Sequence, residues 1–211
     1  SGDLRQATKV TMEAGASIDA SATDRGDAGK VVLWSDVHNA DSVTRVNGSI
    51  KAEAGLNGGY GGKVETSGHV LNVDDIQVST QSTKGKAGEW LLDPYNITIT
   101  DNATAQSGTG TTYNPISSAT ASFTSDLTST IKASNVATAL GFGNVTITTG
   151  GTAGDGNGYG DIKIASAISW NSNNNLTLTA LGEIWGTGNL TRTGGGGITF
   201  NQAGDSKNAI V

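Results

Sequence analysis

The chain has 211 residues, with 13 Lys and Arg against 19 Asp and Glu, and a net charge of −6. It has no Cys, which excludes a disulfide scaffold, a thiolate metal site and cysteine catalysis. The acidic balance argues against nucleic acid as a partner, and no apolar run approaches the roughly 20 residues that a bilayer span needs.

Gly, Thr, Ser and Asn dominate, and helix formers are scarce. The apolar residues fall in short alternating clusters. In chain order these are Lys9–Met12, Ser17–Ala20, Lys30–Trp34, Ser49–Ala52, Lys63–Thr66, Asp75–Val78, Trp90–Leu92 and Asn96–Thr100. After a gap come Asn144–Thr148, Asp161–Ile164, Asn175–Thr179, Asn189–Arg192 and Gly197–Phe200. Each reads as a short strand with one buried and one wet face, and Gly-Gly, Asn-Gly and Asp-Gly turns lie between them. Ser1-Gly2-Asp3 reads as a cut end, and no signal peptide is visible.

The clusters repeat. Ala16–Ala20 with Gly29-Lys30-Val31 resembles Gly48–Ala52 with Gly62-Lys63-Val64, an offset of about 32 residues. Asn144–Thr148 recurs as Asn175–Thr179, about 31 residues on. Imperfect repeats of short strands predict an all-β solenoid, a parallel β-helix whose coils each give two or three strands. At about 20 residues per coil, some eight coils and a rod of about 40 Å are expected. A sandwich or barrel joined by hairpins is the competing fold.

Residues 101–143 break the alternation. Leu127, Ile131, Val136 and Leu140 are spaced for a helical face. This predicts an insertion leaving the rod, with a helix over 125–140, capped by Ser125 or Asp126 and stopped by Gly141. Otherwise residues 1–211 read as one β-helical section of a longer fibre.

Three strings carry a resemblance. They are Val31-Val32-Leu33-Trp34-Ser35-Asp36, then Gly61-Gly62-Lys63-Val64-Glu65-Thr66-Ser67-Gly68-His69, then Gly88-Glu89-Trp90-Leu91-Leu92-Asp93-Pro94 followed by Ile97-Thr98-Ile99. In this order and spacing the chain resembles the two-partner-secretion exoproteins of the filamentous haemagglutinin group, and most of all the high-molecular-weight adhesins. The later strands and the tail Ile198-Thr199-Phe200 extend the likeness over nearly the whole chain. The resemblance implies a right-handed β-helix with one extra-helical insertion. It implies export through an outer-membrane secretion pore and display on the bacterial cell surface, beyond an N-terminal secretion domain. It also implies adhesion and virulence through non-covalent binding to host epithelial-cell glycans or glycoproteins, without membrane insertion.

Candidate sites follow. Trp34 and Trp90 stand beside apolar neighbours and read as packing. Trp170 and Trp185 adjoin loops about one coil apart and are the candidate ligand-binding rings, stacked on one flank. Asn47, Asn96, Asn102, Asn144, Asn175 and Asn189 open Asn-x-Ser/Thr triplets. The resemblance implies a hexose on some of them, although a turn feeding a strand yields the same triplet. Asp155–Ile162 imitates a calcium loop, but Ser166 stands where its last carboxylate is needed, so no metal and no cofactor is expected. Asp74-Asp75 reads as a solvated turn. The carboxylates are spread out and His38 and His69 are distant in sequence, so the chain is not expected to be an enzyme. Two other readings stay open: a structural spacer of the fibre with no ligand, and a polysaccharide-modifying β-helix enzyme.

Overall fold

The computed structural model describes residues 6–102, 129–150 and 160–202. The chain winds through three faces in turn. The first round is β1 (Lys9–Met12), β2 (Ser17–Asp19) and β3 (Lys30–Trp34). The second is β4 (Val43–Val46), β5 (Gly48–Lys51) and β6 (Lys63–Gly68). The third is β7 (Val70–Asn72), β8 (Ile76–Ser79) and β9 (Glu89–Pro94). Then come β10 (Ile97–Ile99), β11 (Ser129–Ile131), the helix α1 (Ala133–Phe142) and β12 (Asn144–Thr148). The last two rounds are β13 (Ile162–Ile164), β14 (Ile168–Trp170) and β15 (Leu176–Ala180), then β16 (Ile184–Gly186), β17 (Leu190–Arg192) and β18 (Ile198–Gln202).

Among the described residues every strand pairing is parallel, and strands stack on their counterparts from neighbouring rounds. The first face runs β1-β4-β7-β11-β10-β13-β16 and the third β3-β6-β9-β12-β15-β18. The second face holds β2-β5-β8 and, separately, β14-β17. The fold is thus all-β and β-helix-like, with a single short helix among the described residues. Parallel pairing throughout leaves no room for a sandwich built from hairpins.

The core follows from the alternation. On the third face Val31, Val64, Trp90, Val145, Leu176 and Ile198 form one inward ladder. Leu33, Thr66, Leu92, Ile147, Leu178 and Phe200 form the next. Most of these side chains are fully buried, and each large one contributes about 1.5 to 3 kcal/mol through lost apolar exposure. Trp90 takes a valine's place in its ladder, and its indole Nε1–H donates to the buried Thr66 hydroxyl at 3.1 Å. That bond removes the penalty of a buried indole donor.

The coil is longer and rarer than expected. Stacked positions are 33 residues apart at Asp27 and Tyr60, and 22 apart at Asn175 and Gly197. Among the described residues six strands therefore stack on the third face, about 25 Å of rod, against the eight coils expected. Corner turns consume the difference.

The helix is also placed differently. It begins at Ala133, beyond the expected start at 125, and it contains Gly141. It stands within the stack on the second face, packed against β8 and β14. Ala133, Val136, Ala139 and Leu140 are buried, so its apolar face closes the core where a strand would otherwise do so. Residues 129–143 thus belong to the coil. Ser125, Asp126 and Leu127 lie outside the described residues.

The strand order carries one irregularity beside the helix. Between β7 and β13 the first face carries two strands, β11 and the out-of-order β10, whereas the third face carries β12 alone between β9 and β15.

Candidate functional site

The outward side of the third face is the most distinctive surface. Alternation along β3 turns Val31 and Leu33 inward, so Val32 and Trp34 project outward. They are 41% and 46% exposed. Val32 aligns with Glu65 and Leu91 on the next strands, and Trp34 with Ser67 and Asp93. An exposed indole thus lies on the outward side of the sheet, in columns that also hold apolar and carboxylate residues. Two ion pairs cross the same surface, Lys30 to Glu65 at 3.1 Å and Lys63 to Glu89 at 3.8 Å. They offset the stacking of Lys30 directly on Lys63.

Asp93 is the anomalous group here. Its Oδ1 is buried with no hydrogen-bond partner among the described residues. Burial, then the charge of Glu65, push its carboxyl up to about 6, and His38 partly opposes them. Coiling brings together what the sequence separates. The Nδ1–H of His69 donates to the carbonyl of Val37, one round below, at 2.9 Å, and its ring stacks on Tyr95 at 4.4 Å.

Farther along the stack the outward columns change character. Thr146, Thr177 and Thr199 form one column, and Thr148, Thr179 and Asn201 the next. Where these strands begin, a groove of about 370 Å³ crosses β6, β9, β12 and β15. Gly61, Gly62 and Gly88 line it together with Lys63, Glu89, Asn144, Thr146, Asn175 and Thr177.

The expected rings separate. Trp170 is 5% exposed, and its Nε1–H donates to Asn174 O at 3.1 Å. It shares the inward side of β14 with Ile168, so it is core and not a surface platform. Trp185 is 40% exposed on β16, with Lys163 Nζ 4.7 Å from its ring centroid. The two rings lie on different faces and do not form one flank. Trp90 is core as read from sequence. Trp34 is not; the period-two pattern of Lys30–Trp34 was the signal that places it outside.

The asparagines also divide. Asn96 Oδ1 accepts from Gly160 N and Asp161 N, Asn144 Oδ1 from Asn175 N, and Asn175 Oδ1 from Gly197 N. These three tie successive rounds together. Asn47 is half-buried, and Asn102 and Asn189 are exposed. Asp75 is exposed and pairs with Lys132 at 2.9 Å, but Asp74 is half-buried and accepts from Thr130 Oγ1 at 3.2 Å. Burial raises the Asp74 carboxyl above the usual range. Asp74-Asp75 is therefore only half a solvated turn.

Most of the calcium-like loop lies outside the described residues. Among the described residues no three His, Asp or Glu side chains gather as metal ligands, and no helix is long and apolar enough to cross a membrane. Compared with protein-family models and with curated protein sequences, the chain matches none.

Proposed function

We propose that the chain is a section of a bacterial surface fibre, a right-handed β-helix exported by two-partner secretion, that binds host-cell glycans through the outward side of its third face. The observation that carries the binding reading is Trp34, an exposed ring on the outward side of β3, in the column of Ser67 and Asp93 and beside that of Val32 and Glu65. Sugar rings stack on such indoles, and neighbouring carboxylates accept their hydroxyl hydrogens. The absence of Cys and the round-by-round stacking support the export reading, because each round finds its partner in the one before. Single contacts of this kind are weak, and many fibres acting together make adhesion firm.

The test is a glycan array probed with the intact chain and with Trp34→Ala. The variant is expected to lose about tenfold or more in binding with an unchanged circular dichroism spectrum, from the loss of one stacking ring. Equal binding by both proteins would overturn the assignment to this face.

A further inference from the structure

We infer that the Asp93–Pro94 bond is a self-cleavage site, at which the Asp93 carboxyl attacks its own main-chain carbonyl and opens the chain in mildly acidic surroundings. The sequence supplies the chemistry. Proline occurs twice, and only Pro94 follows an aspartate. A peptide bond to proline is a tertiary amide, whose nitrogen carries no hydrogen and takes up a proton more readily than an ordinary amide nitrogen. An aspartate before it reaches its own carbonyl carbon by closing a five-membered ring, so nucleophile and target are already held together.

The fold supplies the state of the carboxyl. β9 ends at Pro94, and the ladder sets Asp93 on Ser67 and Pro94 on Gly68. Pro94 is buried, and its carbonyl accepts from Gly150 N at 3.1 Å, so the leaving side of the bond is anchored. Gly150 of the next round also bounds the space beside Asp93 Oδ1. A Cβ there would stand 3.4 Å from that oxygen and 3.3 Å from Val37. Among the described residues no donor satisfies Oδ1, so nothing ties it away from the main-chain carbonyl. Burial favours the protonated form, Glu65 of β6 acts in the same direction, and His38, from the turn before β4, acts against both. Asp36, His69 and Tyr95 are the other titratable side chains of this corner, and β12 brings none. The acid form thus persists up to about pH 6, whereas an unfolded chain keeps it only below about pH 4.

The reaction balances with water alone. A side-chain oxygen of Asp93 bonds to the Asp93 main-chain carbonyl carbon and closes a cyclic anhydride. The bond from that carbon to Pro94 N breaks, and the carboxyl proton moves to the nitrogen, which leaves as a secondary amine. Water then opens the anhydride, and Asp93 becomes a C-terminal residue. Asp93 is only half-buried, so solvent reaches it. The cut nicks the rod without dividing it. β7 pairs with β11 and β9 with β12, so strands before the cut stay hydrogen-bonded to strands after it.

The experiment incubates the intact chain at pH 5 and pH 7.5, folded and in concentrated guanidinium, and reads the products by intact mass and denaturing gel. The expected products are residues 1–93 and 94–211, at an unchanged native size. Cleavage of the folded chain is expected to be about tenfold or more faster at pH 5 than at pH 7.5, and about tenfold faster at pH 5 than in the unfolded chain. Asp93→Asn and Pro94→Ala are expected to stay intact at pH 5. Glu65→Gln keeps both reacting groups and is expected to move the midpoint of the pH profile downward from about 6, a shift that a purely structural role would not produce. An intact chain that survives pH 5 uncut, equal rates folded and unfolded, or cutting at this bond in Asp93→Asn would each overturn the proposal.

Discussion

Asp93 shows how one side chain records the conflict between stacking and solvation. Its place on β9 is fixed by the ladder, yet that place buries one carboxylate oxygen without a partner. The folded carboxyl is raised to about 6 from an ordinary 3.8, with burial as the main cause. The folded state therefore holds the proton more tightly than the unfolded chain. The benefit is fully present below about pH 4 and is lost as pH rises through about 6. Asp93→Asn is expected to be more stable than the parent at pH 7.5, by about 1 kcal/mol once partial solvent screening is allowed for. Urea unfolding at pH 4 and pH 7.5 checks this, with a difference expected only at the higher pH. Nothing in the sequence marks Asp93, since its partners His38 and Glu65 come from earlier rounds. Trp34 was legible in principle. The alternation that turns Val31 inward also turns Trp34 outward, but its apolar neighbours suggested packing. Trp170 misled in the opposite way, because the Asn-rich loop after it hid its alignment with Ile168.

At the scale of the element, α1 is the feature that alternation alone could not place. Its apolar spacing was readable, and Val136 and Leu140 are buried on its inward side. Its start was not. Lys132 stands at the N-cap without a side-chain bond, and Asp101, the first residue of the expected insertion, supplies the missing acceptor. The Asp101 carboxylate takes hydrogen bonds from Ser134 N at 3.2 Å and Ser134 Oγ at 2.8 Å. A cap borrowed over such a distance leaves no local signature. Leu140→Ala tests whether the helix is part of the stack. A core position predicts a loss of about 2 to 4 kcal/mol in urea unfolding. A helix outside the rod would lose only a few tenths of that stability, and such a result would contradict its role as a coil wall.

For the molecule as a whole, the repeat was the most legible property. The offset between Ile18 and Ile50 is the observed register, as are those between Val31 and Val64 and between Val145 and Leu176. Parallel stacking makes this so: like positions sit on like positions, so similar residues recur at the coil length. The coil number was not legible, because corner turns vary in length without disturbing the ladders. The position of β10 was not legible either, since it pairs with β11 and β13, both later in the chain, and not with β7 before it. The proposed binding face arises from the same stacking, which aligns Val32, Glu65 and Leu91 in one column and Trp34, Ser67 and Asp93 in the next. The most direct measurement is a nitrogen-15 spectrum of the indole N–H groups during titration with glycans released from epithelial cells. The account predicts that the Trp34 signal shifts while those of the buried Trp90 and Trp170 stay fixed. Movement of Trp185 alone, or of no indole at saturating glycan, would contradict it.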